Sequence, residues 1–404
     1  MTNLEIPEAR STSPWLEGTP LTGAPLAGDH ETEVAVVGAG AAGLAAALEL
    51  ARAGRRVTVL ERRSVGAGLT GRCAGALLAS SGRWHARDVR ELGEHRAWAR
   101  RVLAAVGRRR ALELVEAHDL PCGLDRRGSA LLALSPREWA DAVHSAEQLG
   151  EHCELWDRAR AHHRAVAGLF AGGLYDPHDA ALDPAALARG MARLAAAAGA
   201  RICEGTEVSA VEEPTEGGVL VRTARGDVRA GMAVLAVNAW TPWLVPALAD
   251  RLLPYRAQWL LTEPLAGPVP DGVWLTNHGH EHWRHLADGA VLFGGCREAS
   301  LRTEDGASEE ATNKVQGLME RFLSKAFPAL ADPSVRYRWA AAAATTCDGL
   351  PIIGPPAGQT ATVLACGFSE HELALSIGAG MAAADLVQSG HFENSEIFSA
   401  RRFQ

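Results

Sequence analysis

Hydrophobic positions near the start of the chain fall into a strand, a helix and a second strand. Residues 33–38 read E-V-A-V-V-G, a short β-branched run typical of a buried parallel strand. Good helix formers fill residues 44–53, and Gly54 stands where a helix C-cap glycine belongs. A second apolar run at 57–60 predicts another strand, which ends at Glu61. This order predicts a βαβ unit with a glycine-rich first turn.

Helix-rich and strand-rich pieces alternate along the rest of the chain. Ser135-Pro136 and Asp183-Pro184 are typical helix starts, and a further helix is predicted over 308–326. Because the pieces interleave, we expect a chain of mixed α/β and α+β class with two domains. The first is a Rossmann-like domain built from discontinuous segments, and the second holds a mixed or antiparallel sheet. The predicted segments are 1–100, 168–245 and 336–404 for the first domain, and 101–167 and 246–335 for the second.

The turn after the first strand, G-A-G-A-A-G, has the chemistry of a dinucleotide site. Its first glycine allows the tight turn, the second lets the backbone approach a pyrophosphate, and the third lets the helix pack on the strand. The helix N-terminus offers free N–H groups to the phosphates, and the acid at the end of the second strand can bind ribose hydroxyls. The predicted contacts are Gly38, Ala39, Gly40, Ala42, Gly43, Glu61 and Arg62.

Composition narrows the class of protein. The net charge of −8 provides no basic face for a nucleic acid, and no apolar run is long enough to cross a bilayer. The seven cysteines include no C-x-x-C pair, which favours reduced thiols over a zinc or redox motif. Lys314 and Lys325 are the only lysines in the sequence, so a Schiff-base lysine is not expected. We therefore expect a cytoplasmic protein with a small-molecule substrate.

Residues 66–75, G-A-G-L-T-G-R-C-A-G, distinguish FAD from NAD. This string resembles a segment of the D-amino-acid oxidase superfamily, above all of its glycine, sarcosine and γ-glutamylputrescine oxidase-like members. In that family the segment passes the flavin, and small residues allow such close backbone approach. The resemblance implies FAD as the cofactor, an FAD-binding first domain and a substrate-binding second domain. It also implies flavin contacts from Thr70, Gly71, Arg72, Cys73 and Ala74.

The resemblance extends over nearly the whole chain. V-L-A-V-N-A-W at 234–240, D-G-L-P-I-I-G at 348–354 and A-C-G-F-S-E-H at 365–371 are similar to flavin-binding elements of the family. The further cofactor contacts that it implies are Val208, Asn238, Gly367, Phe368, Ser369 and Glu370.

The chain departs from the family pattern where relatives show G-F-S-G-H-G. Here two of the glycines are replaced by Glu370 and Glu372. We weigh two roles for them: a carboxylate that pairs with a cationic amine in the cavity, and an acid stabilised by a helix dipole. Cys73 stands where the family often has Asn.

The chemistry that the resemblance implies is hydride transfer from a C–H bond beside nitrogen to flavin N5, which gives an imine and, with oxygen as acceptor, hydrogen peroxide. Arg284 and Arg256 are candidate anchors for a carboxylate, and Trp283 is a candidate wall or cation–π face. His371 and Glu372 complete the candidate catalytic set. Three alternatives stay open: a biosynthetic tailoring enzyme, a dehydrogenase with an acceptor other than oxygen, and a non-catalytic FAD-binding subunit.

The string H-G-H-E-H at 278–282 raises the question of a metal. In a strand, His278, His280 and His282 would lie on one face, and three imidazoles can bind zinc. No separate carboxylate or thiol ligand is evident, so we predict no metal and expect these side chains at the mouth of the active site or in solvent.

We expect the FAD to be bound without a covalent bond. Some relatives tether FAD through a cysteine late in the chain, but Cys347 beside Asp348-Gly349 does not match that position. Acid precipitation of the purified protein should therefore leave the yellow colour in the supernatant, as measured by visible absorbance. Colour that stays with the pellet after washing in denaturant would contradict this expectation.

Overall fold

Two eight-stranded sheets organise the chain. The computed structural model describes residues 12–18, 23–165, 169–265, 270–327, 334–369 and 373–404. The strands found there are β1 (His30–Val37), β2 (Val57–Leu60), β3 (Ala76–Leu77), β4 (Ser129–Ala133), β5 (Glu154–Trp156), β6 (Gly172–Asp176), β7 (Ala180–Ala181), β8 (Arg201–Cys203), β9 (Val208–Glu212), β10 (Val219–Thr223), β11 (Val228–Leu235), β12 (Leu252–Thr262), β13 (Val273–Thr276), β14 (Glu281–His285), β15 (Val291–Gly294), β16 (Val335–Thr346), β17 (Ile352–Gly354) and β18 (Thr362–Cys366).

Helices cover both sheets. Ser135 and Asp183 accept backbone N–H groups at the starts of α4 and α6, as the Ser-Pro and Asp-Pro pairs predict. None of the described helices combines the length and the apolar character that a bilayer crossing requires. The helices are α1 (Ala41–Arg52), α2 (His85–Leu92), α3 (Glu94–Ala117), α4 (Pro136–Leu149), α5 (Arg158–Ala165), α6 (Pro184–Ala197), α7 (Thr241–Leu244), α8 (Asn313–Ala326), α9 (Leu373–Ser389) and α10 (Ser395–Phe398).

The first sheet is mainly parallel, in the order β17-β18-β11-β1-β2-β8, with β10 and β9 added beside β11. Its centre, β1, pairs in parallel with β11 on one side and β2 on the other, so that Val34 faces Met232 and Val57. Strands buried on both faces read as apolar runs, which is why β1 and β2 could be predicted from the sequence. This Rossmann-like sheet confirms the predicted fold class.

Helix α9 lies against both α1 and α3, with main chains in contact. A Cβ added at Gly378 would lie 2.2 Å from the carbonyl oxygen of Leu103 in α3, and one at Gly380 would lie 2.1 Å from that of Ala42 in α1. A Cβ added at Gly107 of α3 would lie 1.9 Å from the carbonyl oxygen of Ala374 in α9. The three helices can therefore pack at this distance only because these positions carry no side chain.

The second sheet is mixed, in the order β16-β12-β15-β14-β13-β4-β6-β5, and only its β13–β4 pair is parallel. One face packs on α5 and α8 around Trp274, Trp283 and Phe293. The other face carries Trp259, Trp339 and Leu292 and belongs to the core that also includes α1, α3 and α9. This opposite face is therefore the one turned toward the first sheet.

The predicted domain boundaries need correction at three places. The boundary between residues 100 and 101 falls inside α3, which packs along α9 and so belongs with the first domain. Strands β6 and β16 were assigned to the first domain, but they pair with β4 and β12 in the second sheet. Ten positions of α3 are buried. The sequence did not indicate this packing role because the helix also carries many charged residues, which are typical of an exposed helix.

The close helix contact at Gly378 predicts that replacing this helical glycine by alanine lowers the stability of the protein, which is the opposite of the usual effect. Gly→Ala inside a helix normally stabilises a protein by about 0.5–1 kcal/mol. Gly378→Ala should instead lower the free energy of unfolding by about 1–3 kcal/mol, because the new methyl group meets backbone that cannot move aside. Thermal unfolding of the FAD-loaded protein measures the change.

Gly317 in α8 provides the matched control. The nearest heavy atom to an added Cβ there is the Arg321 guanidinium nitrogen at 3.9 Å. Gly317→Ala should therefore be neutral or stabilising. Equal melting temperatures for the two variants would show that α9 can shift to accommodate the methyl group.

Candidate functional site

A cleft of about 360 Å³ runs along the carboxyl ends of β1, β2 and β11. Ligands in open α/β sheets bind at this edge, where strand ends and helix N-termini converge. Many of the predicted cofactor residues form its wall, namely Gly38, Gly40, Ala42, Glu61, Arg62, Thr70, Val208, Asn238 and Phe368.

The glycine turn forms the floor of the cleft. Gly38 adopts φ 101°, a left-handed conformation that favours glycine, and a Cβ there would lie 2.6 Å from the Ala236 carbonyl oxygen. A Cβ on Gly43 would lie 1.9 Å from the carbonyl oxygen of Gly38, so the third glycine lets α1 pack on its own turn. Thr70 Oγ1 accepts the N–H of Ala41 at 3.0 Å, which ties the 66–75 segment to the start of α1.

Glu61 connects the turn to the end of β2. Its Oε2 accepts the N–H of Ala39 at 2.9 Å, and its Oε1 accepts the N–H of Arg63 at 2.8 Å. Burial raises the pKa of Glu61, while the two backbone hydrogen bonds act in the opposite direction. Each carboxylate oxygen has a further lone pair, so Glu61 can still accept hydroxyl groups of a ribose.

Aromatic side chains form one end of the cleft. The guanidinium of Arg62 lies 4.0 Å from the ring centroid of Trp240, and the rings of Trp240 and Trp243 are 5.2 Å apart. Neither tryptophan was predicted as a contact, although Trp240 ends the string at 234–240. Val208 lines the same end, and Asn238 Oδ1 accepts the N–H of Gly367 at 2.9 Å.

The 66–75 segment is held from two sides. On one side the arm at 12–18 contacts it, since Ser13 Oγ donates to the Gly71 carbonyl and Trp15 Nε1 donates to that of Cys73. On the other side, Trp339 Nε1 donates to the Arg72 carbonyl at 2.7 Å. Of the predicted contacts in this segment, Thr70 lines the cleft, whereas Gly71, Arg72, Cys73 and Ala74 are not among the residues of its wall; Cys73 is a buried packing residue.

The other end of the cleft lies between this segment and the late elements. Leu69, Ala342 and Phe368 line it, and Ser369 follows with φ 69° and its N–H bonded to the Ala344 carbonyl oxygen. Glu370, which was predicted as a cofactor contact, lies outside the described residues.

Comparison with known proteins identifies this arrangement. A family model described as FAD dependent oxidoreductase matches residues 33–386. The chain belongs to this family. The match confirms the resemblance inferred from residues 66–75 and the late flavin-binding strings, and with it FAD as the cofactor.

The relatives align over nearly the whole chain. A probable oxidoreductase OrdL from Haemophilus influenzae is 28% identical over 93% of this chain and 86% of its own length. The gamma-glutamylputrescine oxidoreductase of Escherichia coli is 28% identical over 91% of this chain and 86% of its own. In fold, the crystal structure of glycine oxidase from Geobacillus kaustophilus matches with a TM-score of 0.78 at 23% identity, over 92% of this chain and 98% of that one.

The cleft fits FAD along its length. Glu61 and the Arg62–Trp240 end suit the adenosine, and the backbone turn at Gly38–Gly43, which packs closely because Gly38 and Gly43 carry no Cβ, suits the pyrophosphate. The end at Leu69, Ala342 and Phe368 is then left for the flavin.

An acidic segment from the second domain, residues 307–310, lies at the mouth of the FAD cleft beside Arg62 and Arg63. Glu309 binds Arg63 through two hydrogen bonds of 2.6 and 3.0 Å and lies 3.3 Å from Arg72. Burial alone would raise the pKa of Glu309, but the contacts with the two arginines outweigh it and hold the pKa below its usual value. The predicted helix over 308–326 is therefore too long, since α8 begins at Asn313 and the preceding residues lie across the cleft mouth.

Next to the FAD cleft, the inner face of the second sheet carries His282 and Arg284. His282 lines a narrow cavity with Trp259, Ala343 and Leu69, and Leu69 also lines the cleft. Trp259 Nε1 donates to His282 Nε2 at 3.0 Å. Trp259 was not predicted as a contact, whereas His282 is one of the three histidines expected at the mouth of the active site or in solvent. The alternation of β14 around Arg284 also indicates that His282 faces inward.

Arg284 is buried on the same face but is covered by the N-terminal arm. Its guanidinium lies 5.2 Å from the ring centroid of Trp15, and no described carboxylate lies within ion-pair distance. Burial lowers the pKa of Arg284 to about 10. The carboxylate-anchor role of Arg284 stays a prediction.

Two of the predicted catalytic residues point away from the FAD cleft. Trp283 follows His282 in β14, so its side chain lies on the opposite face, packed on Phe293 and Trp274. Arg256 also faces outward, where it binds Glu304 at 3.2 Å and the carbonyl oxygen of Glu310. The wall role of Trp283 and the anchor role of Arg256 are therefore wrong. The other two candidates, His371 and Glu372, lie outside the described residues.

The three alternating histidines do not share a face. Strand β14 begins only at Glu281, and His278 lies in the preceding turn with φ 59°. His278 pairs with Glu138 and His280 with Glu298, both at 3.5 Å, while His282 contacts Trp259. Within the described ranges, no group of three or more His, Cys, Asp and Glu is placed to hold a metal ion.

The contacts of Glu61 predict its effect on cofactor affinity. Glu61→Gln replaces one carboxylate oxygen by an NH2 group, which cannot accept either backbone N–H. The dissociation constant for FAD should rise about ten-fold, in keeping with the loss of one charge-assisted hydrogen bond. Titration of apoprotein with FAD, followed by quenching of flavin fluorescence, measures the change.

Glu207 is the control, because it lines the FAD cleft but is exposed. Glu207→Gln should leave the affinity within about two-fold, since an exposed group is well solvated. If both substitutions weakened FAD binding equally, the total charge of the cleft, and not the hydrogen bonds of Glu61, would determine the affinity for FAD.

Proposed function

We propose that the protein oxidises a C–N bond of an amine or amino acid and produces an imine. The observation that carries this proposal is the junction at Leu69, where the flavin end of the FAD cleft meets the cavity beneath Trp259 and His282. The relatives named above include a glycine oxidase and a gamma-glutamylputrescine oxidoreductase, and an L-proline dehydrogenase from P. horikoshii has the same fold with a TM-score of 0.77. These names support a nitrogen-bearing substrate.

Bound FAD supplies a hydride acceptor, and the chain supplies position and environment. The rings of Trp259 and Trp339 stack at 6.3 Å, and this contact holds Trp259, which lines the cavity, in place. Because indole can only donate, the bond from Trp259 makes Nε2 of His282 an acceptor. The neutral imidazole then holds its proton on Nδ1, and the tryptophan fixes the orientation of the ring.

A substrate that arrives as a neutral amine needs no general base on the protein. The nitrogen lone pair assists departure of the hydride from the adjacent carbon, which leaves an iminium cation. Loss of one N–H proton to solvent gives the imine, which is released or hydrolysed. In this proposal the arrangement of Trp259 and His282 orients the C–H bond and does not remove a proton.

The described wall of the FAD cleft supports non-covalent binding of the cofactor. The side chains that form it include no cysteine, histidine or tyrosine that could bond to the flavin. Cys347 is exposed and does not belong to that wall.

Molecular oxygen is the acceptor that we propose, with hydrogen peroxide as the second product. One observation favours a dehydrogenase as the alternative: Lys314 and Lys325 both lie on α8, which packs on the outer face of the second sheet. A lysine ammonium group therefore does not lie beside the flavin end of the cleft.

Anaerobic reduction tests the proposed reaction. Mixing the FAD-loaded protein with glycine, sarcosine, proline, alanine and putrescine in turn should bleach the flavin spectrum with at least one of them. Lactate is the matched control for alanine, because it replaces the amino group by a hydroxyl, and it should leave the spectrum unchanged.

Each outcome has a distinct meaning. Bleaching by lactate but by none of the amines would overturn the proposal of C–N oxidation. A flavin that no compound reduces would favour a non-catalytic FAD-binding protein. Readmission of air should restore the colour and produce peroxide, whereas slow reoxidation without peroxide would favour the dehydrogenase.

A further inference from the structure

A cross-strand row of residues runs over the inner face of the second sheet. Backbone pairing places Trp339 of β16 opposite Trp259 of β12. Gly294 of β15 is opposite Trp259 on one side and opposite His282 of β14 on the other. Residues that are directly opposite on neighbouring strands direct their side chains to the same face of a sheet. The cross-strand row therefore consists of Trp339, Trp259, Gly294 and His282, and one of its four positions has no side chain.

Gly294 lies between two rings that share a hydrogen bond. The strands of Trp259 and His282 are on opposite sides of β15, about 10 Å apart, and yet Trp259 Nε1 donates to His282 Nε2 at 3.0 Å. A Cβ at Gly294 would lie 2.4 Å from His282 Nε2 and 2.4 Å from Trp259 Cδ1. The hydrogen bond thus occupies the space that a side chain at position 294 would fill.

The ring pair, and not the backbone, is what requires a glycine here. The three atoms nearest to the Cβ position of Gly294 all belong to the rings of Trp259 and His282, and Gly294 does not adopt a left-handed φ. The next residue shows the contrast, because Gly295 has φ 127° and its Cβ would lie 2.1 Å from the carbonyl oxygen of His280. The backbone therefore explains the glycine at position 295 but not the one at position 294.

Neither ring of the pair can move aside freely. Trp259 and His282 are both buried, and the ring of Trp259 stacks on Trp339 at 6.3 Å. Trp339 is fixed in turn, since its Nε1 donates to the Arg72 carbonyl oxygen at 2.7 Å. A methyl group at position 294 would therefore push Trp259 and His282 apart and break their hydrogen bond.

The cross-strand row connects the FAD cleft with the cavity proposed for the substrate. At one end it is bonded to the carbonyl oxygen of Arg72, in the 66–75 segment whose Thr70 lines the cleft. At the other end His282 lines the narrow cavity together with Trp259. The orientation of His282 is thus set by the same segment that borders the flavin end of the cleft.

We infer that Gly294 is a positioning residue of the proposed reaction. The inference deepens the proposed amine oxidation and rests on it. Because position 294 has no side chain, Trp259 reaches His282 and keeps its Nε2 as an acceptor, so the proton of the neutral ring stays on Nδ1. Gly294 is not among the residues that line the cavity, and it acts through the orientation of the two rings.

The indole N–H of Trp259 reports this hydrogen bond without turnover. In FAD-loaded protein labelled with 15N-tryptophan, each of the 11 tryptophans gives one indole resonance, and the resonance that is missing in Trp259→Phe identifies Trp259. An indole proton donated to an imidazole nitrogen resonates downfield and exchanges slowly with solvent. In Gly294→Ala this resonance should move upfield and exchange faster, because the bond is broken.

Gly173→Ala is the matched control variant. Gly173 lies in β6, the fourth strand from β15 in the same sheet, and a Cβ there would lie 2.9 Å from the carbonyl oxygen of Leu131. The substitution is chemically identical and also introduces a close contact, but it does not touch the cross-strand row. Gly173→Ala should lower the melting temperature and leave the Trp259 resonance where it is.

Anaerobic reduction of the flavin tests the consequence for the reaction. With an amine that bleaches the flavin, Gly294→Ala and Trp259→Phe should each lower the limiting rate constant of reduction about ten-fold, as expected for loss of one hydrogen bond. The amine concentration that gives half of this rate should change little, since the ring pair orients the substrate and does not supply most of its binding. The two effects should not add in the double variant, because both substitutions break the same bond.

Trp259→Phe keeps an aromatic ring in the cross-strand row and removes the donor, so it tests the hydrogen bond even if Gly294→Ala does not fold. Four outcomes would overturn the inference: an unshifted Trp259 resonance in Gly294→Ala, an unchanged reduction rate in Trp259→Phe, additive effects in the double variant, or equal slowing by Gly294→Ala and Gly173→Ala. The resonance does not depend on amine oxidation. If it shifts as expected but no amine reduces the flavin, Gly294 still positions the ring pair and the proposed function fails.

Discussion

At Gly43 the backbone of α1 lies against the Gly38 carbonyl oxygen of its own turn, and at Gly380 the backbone of α9 lies against the Ala42 carbonyl oxygen of α1, so that no side chain fits at either point. The N-terminus of α1 is thereby fixed at the bottom of the FAD cleft. Its first N–H groups, the Thr70 hydroxyl that caps Ala41, and the bond from Ala39 to Glu61 all depend on that position. Cofactor binding, helix packing and the course of the 66–75 segment therefore share one requirement, which is close approach of backbone to backbone.

The parts of the structure that local sequence determines could be predicted. The β1–turn–α1 unit, Glu61 at the end of β2, and the caps at Ser135 and Asp183 each follow from residues within a few positions of one another. The larger errors concern residues that are distant in sequence but in contact in the folded protein. The arginine pair that binds Glu309 and the aromatic end at Trp240 are formed by tertiary packing, which no local pattern encodes.

The alternation of side chains between the two faces of a strand explains the errors in the predicted substrate site. Alternation in β14 separates Trp283 from His282 and Arg284, but it does not indicate which face meets the FAD cleft. Because α8 covers the face of Trp283, the histidine and arginine face inward. The same rule places Arg256 outward on β12, where it anchors the segment that ends in α8.

The scarcity of lysine has an electrostatic consequence for the FAD cleft. The described cations at its wall and mouth are Arg62, Arg63 and Arg72, and a guanidinium stays protonated across the range in which proteins stay folded. A site built from lysines would lose positive charge in alkaline solution. Here the positive charge beside the FAD cleft is retained in alkaline solution, so a rise in pH does not weaken cofactor binding through loss of this charge.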